Sequence, residues 1–462
     1  LSSTTKFDFE ELFWALKNTT IQAFLSALVS LVFGFILTMG LLSYQSLTKY
    51  RASFDLFFLL PNFIPSLFIV IGLMNLIDPF PLGLIGIVLA HVFINTGLVA
   101  IYLRDAIQLK LGHCGELALV LGVSRFKFIR QVVIPQLKQD FVEVFFYVFS
   151  ICFSSFAIPL IIGGGRGTNL EVLIFEKIRI SMDWSSAVWI ALIQSFILFG
   201  ISFLSFRHKK YQSTGTLNFS ILSSKYIVYA FAVGYLIFFA SFFKGIFEGL
   251  NFINDFYLFK DELFTGMLGT LMLSVAVGMF ILLYLILLSY VWSQNFFAKF
   301  LLGYIAPSSA LTALAFLLIG SNEGFYVYIK VILALVLVYS SLAYRFGWNS
   351  ILHDLQVQKE RAIIFGASDK LIFKKIVLPL VIKRAFFISG LCAFWTSGEF
   401  AISKIIGQSD FTLAMIAETF ISQYRLGLAS ILTVGLLILG ILIFYLFIGV
   451  GSVVSKKIKN SI

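Results

Sequence analysis

Residues 115–135 read GELALVLGVSRFKFIRQVVIP, a half-polar stretch set between long apolar runs. Its spacing predicts two short helices joined by a tight turn. Glu116 opens the first, where the helix dipole favours a carboxylate. Ala118 leaves a shallow surface that permits close approach. Gly122 is placed to take the left-handed conformation that stops a helix. Ser124 is placed to cap the second helix. Phe128, Ile129, Val132 and Val133 then recur at helical spacing and form an inward stripe, with Arg130 left for water. Pro135 is expected to end the unit before the chain enters an apolar run.

The same pattern returns 244 residues later as ERAIIFGASDKLIFKKIVLP at 360–379. Glu360, Ala362, Gly366, Ser368 and Pro379 repeat Glu116, Ala118, Gly122, Ser124 and Pro135. Ile372, Phe373, Ile376 and Val377 repeat the stripe, and Lys374 repeats Arg130. At the same offset SSFAIPLIIG at 154–163 falls on GEFAISKIIG at 398–407. The chain therefore reads as an internal duplication.

The rest of the 462 residues is 60% hydrophobic and 12% charged, which excludes a water-soluble domain of ordinary surface. A bilayer core of about 30 Å calls for runs of about 20 apolar residues. Eleven such runs are expected near 20–43, 53–77, 84–103, 140–162, 185–206, 226–247, 266–291, 299–320, 325–346, 382–406 and 428–453. Pro61 and Pro65 should kink the second. The net charge of +11 raises the question of nucleic acid. Its distribution answers otherwise, because Lys and Arg collect in every second connection: Arg104–Lys138, Arg207–Lys225, Arg345–Arg384 and the tail Lys456–Lys459. Such loops are cytoplasmic, so the repeated motif and the C-terminus are placed inside.

Eleven spans leave residue 1 outside. Segment 20–43 aligns with 266–291, whereas 226–247 finds no partner, so one further helix is expected before Leu1. The expected fold class is an all-α membrane protein of two parallel six-helix repeats, related by an axis along the membrane normal. The expected domains are 1–206 and 226–462, with 207–225 as a cytoplasmic linker.

The duplicated Glu-x-Ala…Gly…Pro element resembles the loop of ABC-transporter permeases of bacterial importers, and helix count and loop position extend the resemblance over nearly the whole chain. It implies that Glu116, Ala118, Gly122 and Pro135, with Glu360, Ala362, Gly366 and Pro379, couple the membrane helices to a separate ATPase. It also implies two copies of that ATPase holding the ATP and Mg²⁺, an extracytoplasmic solute-binding protein, and a bacterial inner-membrane location. One position departs from the pattern: the second residue, usually alanine, is Leu117 in one copy and Arg361 in the other. The two copies need not couple equally.

No cofactor or metal site is expected in the chain itself, and no enzymatic activity. GGGRG at 163–167 lacks the Lys and Ser/Thr of a P-loop and reads as a turn. The three cysteines have no paired spacing. His91, His113, His208 and His353 do not form a constellation; His91 and Asn95 share a helix face and read as a satisfied buried pair. The segments at 161–178 and 398–425 resemble those of thiamine and ferric-iron permeases. Gly407–Phe411, with Tyr424 and Arg425, leans towards thiamine or a thiamine phosphate as cargo. Ferric iron or another small solute is the alternative. Glu399 lies within an apolar run, and a carboxylate there marks a pathway. Trp395 is one turn away, a pairing that suits a flat organic cation. The competing reading pairs Glu399 with Lys404 or a nearby hydroxyl. Ser155 is the counterpart in the first half. An ion-coupled secondary transporter is the rival class, but besides Glu399 only Glu143 is a candidate ionisable group.

Overall fold

The computed structural model describes residues 8–44, 48–111, 114–165, 167–205, 224–291, 308–321, 323–344, 348–407 and 411–460. All described elements are helical. The first half carries α1 (Phe9–Leu41), α2 (Thr48–Phe63), α3 (Ser66–Leu76), α4 (Leu84–Leu111), α5 (Cys114–Val120), α6 (Arg125–Phe128), α7 (Ile134–Phe153), α8 (Ala157–Ile162), α9 (Leu170–Arg179) and α10 (Trp184–Ser205). There follow α11 (Lys225–Leu250), α12 (Asp255–Leu258), α13 (Lys260–Val291), α14 (Ser309–Leu317), α15 (Phe325–Ala343) and α16 (Asn349–Ile364). The chain closes with α17 (Asp369–Ile372), α18 (Leu378–Ser397), α19 (Ala401–Ile406), α20 (Leu413–Ser422) and α21 (Leu426–Asn460).

Among the described residues, eight helices are long and apolar enough to cross a membrane, or nine if a bent pair is one span. Four of the eleven expected runs depart from a single continuous helix among the described residues. Run 53–77 is broken between Phe63 and Ser66 and bends by 94°, as Pro61 and Pro65 dictate. Run 140–162 is not continuous: α7 stops at Phe153 and α8 restarts at Ala157. Residues 299–307 of run 299–320 lie outside the described residues, and the remainder holds only the nine-residue α14. Helix α18 likewise stops at Ser397, so 382–406 holds two helices rather than one.

The chain folds as two compact units. One comprises Leu1–Leu173 and Leu192–Phe247, the other Ile174–Ala191 and Glu248–Ile462. The sequence division at 206 and 226 is therefore not the packing division, because α11 joins the first unit. Its residues explain why. Val228 packs beside Gly40 of α1, Tyr235 stacks on Phe93 of α4 at 4.8 Å between ring centroids, and Phe242 stacks on Phe68 of α3 at 3.8 Å. Such aromatic pairs supply the packing that holds helices together in lipid, where apolar transfer adds nothing. The expected linker 207–225 lies outside the described residues except for its last two positions.

Hydroxyls on the long helices bond back to the carbonyl four residues earlier: Thr19, Thr38 and Thr96 in the first unit, Thr270, Thr396 and Thr433 in the second. This satisfies polar groups inside an apolar environment without a partner helix.

Candidate functional site

The loop element of the first unit begins at α5. Its end is a complete Schellman turn: Val123 N–H donates to Ala118 O at 2.9 Å and Gly122 N–H to Leu119 O at 3.1 Å. Gly122 sits at φ +60°, as its position demands. Ala118 differs from expectation. It is only 5% exposed and packs inward on Leu42, Ile107, Phe128, Val133 and Leu137. Its small size serves the interior, and the outward face is carried by its neighbours. Val120 is 84% exposed and Leu121 75%, with Leu117 beside them. An apolar ridge thus stands on a loop that is otherwise basic.

The second unit repeats the turn. Ala367 N–H donates to Ala362 O at 3.1 Å, Gly366 N–H to Ile363 O at 2.9 Å, and Gly366 lies at φ +76°. The ridge is larger here: Ile364 is 81% exposed and Phe365 89%, with Ile363 beside them. Glu360 does not open a helix. It lies near the C-terminal end of the sixteen-residue α16, and Gln356 Nε2 donates to it at 2.9 Å. The side chain of Glu116, its counterpart, lies outside the described residues. Lys359 anchors α16 by donating from Nζ to Ser289 O near the end of α13 at 2.6 Å. Burial holds this ammonium below its ordinary pKa, and Asp369 partly offsets the shift.

Two expectations about the second loop helix need correction. Ser124 and Ser368 occupy cap positions with extended backbone, yet neither side chain caps. Pro135 and Pro379 do not end the unit. Each lies at the start of a long helix, just after a five-residue π turn, Ile129–Val133 or Phe373–Val377. Ile134 N–H reaches back five residues to Ile129 O, and Leu378 N–H to Phe373 O. Proline has no N–H and its ring presses on the carbonyl four residues earlier. The wider turn relieves that clash and lets the helix run on. The inward stripe is as expected: Phe128, Val133, Ile372 and Val377 are buried, while Arg130 and Lys374 are exposed.

Each unit holds a helix break after the long helix that follows its loop element, and Trp395, Glu399 and Ser155 lie at these breaks. Glu399 is not inside a helix; it lies between α18 and α19 and accepts from Ile402 N–H at 2.7 Å and from the Ser403 hydroxyl at 3.4 Å. Lys404 pairs with Glu418 of α20 instead. Trp395 precedes the break and faces Tyr339 of α15 at 6.0 Å between ring centroids. Ser155 lies in the equivalent break of the first unit, where its carbonyl accepts from Asn169 Nδ2 at 2.6 Å. His91 and Asn95 are not a side-chain pair. His91 Nδ1 meets the Ser26 hydroxyl at 3.2 Å, and Asn95 Nδ2 bonds the His91 carbonyl at 2.8 Å. Residues 408–410 of the Gly407–Phe411 run lie outside the described residues.

Sequence reasoning missed the ridge residues Val120, Leu121, Ile364 and Phe365, although an apolar pair just before each glycine was visible. It also missed α9 and α20. These ten-residue helices are too short to span, and most of their residues are buried inside the protein rather than forming an open loop.

Residues 24–209 match the model of the family described as the binding-protein-dependent transport system inner membrane component. The thiamine transport system permease protein of Escherichia coli (strain K12) is 36% identical over 137 residues, which cover 29% of this chain and 26% of that protein. Its counterpart in Salmonella typhimurium is 34% identical over 150 residues, 32% of this chain and 28% of the relative. That of Brucella abortus (strain 2308) is 28% identical over 207 residues, 40% of this chain and 38% of the relative. The aligned parts thus span between about a quarter and two-fifths of these relatives. No solved structure matches the chain. Over residues 24–209 the chain is thus similar to binding-protein-dependent inner-membrane components, and the curated relatives that share part of its length are thiamine transport system permease proteins.

Proposed function

We propose that the chain forms the translocation pathway of an ATP-driven importer and is coupled to a separate ATPase through its two loop elements. The carrying observation is the exposed ridge, Val120–Leu121 in one unit and Ile364–Phe365 in the other, set on the same glycine-ended turn. Apolar side chains this exposed on a loop surrounded by Lys and Arg mark a surface that a partner covers. The loops are cytoplasmic on the charge rule, so the C-terminus is cytoplasmic and the outer breaks face the binding protein. Two ATPase copies, one per loop, follow from the duplication, and the partner holds ATP and Mg²⁺.

Thiamine or a thiamine phosphate is the cargo that the relatives favour, since each is a thiamine transport system permease protein. The grouping of Glu399, Trp395 and Tyr339 supports it, because aromatic faces beside a carboxylate suit a flat cation. Ser155 offers no such chemistry in the first unit, so the pathway is asymmetric. The test is uptake of labelled thiamine by proteoliposomes holding the chain, its ATPase and its binding protein. ATP-dependent uptake is expected, and Glu399→Gln should raise the KM. Uptake driven by an ion gradient without ATP would overturn the reading.

A further inference from the structure

The two short buried helices near the breaks are held at their first residue by the same bond. Leu170 N–H, the first of α9, donates to the Thr19 hydroxyl of α1 at 2.9 Å. Leu413 N–H, the first of α20, donates to the Thr270 hydroxyl of α13 at 3.0 Å. Each hydroxyl spends its own proton on its helix, on Ala15 O at 2.7 Å and Gly266 O at 2.8 Å. Each is therefore a pure acceptor towards the short helix, and both threonines are fully buried.

The surroundings repeat too. The N-cap side chain of each short helix takes the third N–H: Asn169 Oδ1 accepts from Val172 N–H at 2.9 Å, and Thr412 Oγ1 from Met415 N–H at 3.3 Å. The first N–H has no acceptor within a helix of its own, and the threonine supplies one. Close approach makes this possible. A side chain at Gly269 would strike the Phe411 carbonyl, and one at Gly266 would meet Leu413 N at 3.2 Å. In the first unit Asn18 Nδ2 adds a bond to Thr168 O at 3.2 Å. The separations differ, 251 residues between the threonines and 243 between the leucines. The same bond is kept although the spacing has slipped by eight residues.

We propose that Thr19 and Thr270 are twin positioning residues. They latch α9 and α20 closed at the outer end of each unit, and both latches release when that end opens to receive solute. The bond is suited to this use: it lies between elements that no covalent turn joins directly and leaves one N–H to be solvated on opening. What the opening is for rests on the importer reading above; the latch itself does not.

The experiment uses the full chain with its ATPase and binding protein, with Cys114, Cys152 and Cys392 replaced. A single cysteine is placed at Leu170 or Leu413, and labelling by a membrane-impermeant maleimide is timed. Thr19→Val should raise labelling at 170 about tenfold, and Thr270→Val that at 413, since a buried N–H loses its acceptor. Thr19→Ser and Thr270→Ser should label at the parent rate. The valine variants should also hydrolyse more ATP per solute moved. In the unsubstituted pair, labelling should differ between the resting complex and the vanadate-trapped one, a readout that needs no latch variant. Parent-rate labelling in the valine variants, or equal labelling in the two states, would overturn the latch. Loss of ATP-dependent uptake from the parent itself would overturn the importer reading and leave the labelling result standing.

Discussion

Phe365 offers the sharpest test of the loop ridge. Its side chain is 89% exposed, so truncation to alanine removes little that holds the fold together. Surface changes of this kind stay within about 0.5 kcal/mol. If a partner covers the ridge, the same truncation loses most of a buried phenylalanine. Full burial of such a side chain contributes about 1.5–3 kcal/mol, so about 2 kcal/mol is at stake, or about thirtyfold in Kd. Leu121 is smaller and 75% exposed, so Leu121→Ala should weaken binding about tenfold. The assay is titration of the detergent-solubilised chain with its ATPase, alongside thermal unfolding of the chain alone. Ala118→Leu is the control, since Ala118 faces inward and a larger side chain there should cost about 1–3 kcal/mol of fold stability. Phe365→Ala should therefore lose affinity at unchanged Tm, and Ala118→Leu should lose Tm. Binding by Phe365→Ala within twofold of the parent would refute the ridge as a docking surface.

Gly122→Ala and Gly366→Ala test the turns separately: an added Cβ meets nothing within 4 Å, so the cost is conformational strain alone at positive φ. About 1 kcal/mol, read as a Tm lower by about 2 °C, is expected for each, with Gly→Asn close to neutral. Lys404→Met strips Glu418 of its partner in a half-buried site. Unfolding in detergent should show a loss of about 1–2 kcal/mol, which Lys404→Met/Glu418→Gln should largely recover. Lys359 gives a pH signature. Its folded pKa is lowered by burial, so the unfolded chain binds that proton more tightly. Stability from this group is complete above the ordinary lysine value and is lost as pH falls through the folded one. Between pH 8 and about 10, Tm should therefore rise more steeply in the parent than in Lys359→Gln.

The loop elements were legible because glycine and proline punctuate them and because they occur twice. Hydropathy found the long helices, since composition alone decides whether a segment can sit in lipid. It failed at Ser154–Phe156 and Gly398–Phe400, where the apolar residues on both sides keep the average high across two or three small or polar residues and a broken backbone. The direction of Ala118 was hidden for a related reason. Every neighbour in LALVL is apolar, so no periodicity tells the inner face from the outer. The π turns were invisible because a proline reads as a stop unless the preceding turn is known to widen. Thr19 and Thr270 leave no mark either, since a hydroxyl bonded within its own helix barely alters the local pattern. Their role depends on what lies across from them, 151 and 143 residues away in sequence.

The inward turn of Ala118 has a consequence for how such a chain diverges. Folding constrains the alanine and the left-handed glycine, while the outward positions answer only to whatever covers them. Leu117 has become Arg361, and Leu121 has become Phe365, without any change in the turn that displays them. In the first copy the fold is thus written on one side of seven residues and, on the docking proposed above, the partner preference on the other. One side can drift, copy by copy, while the other stays fixed.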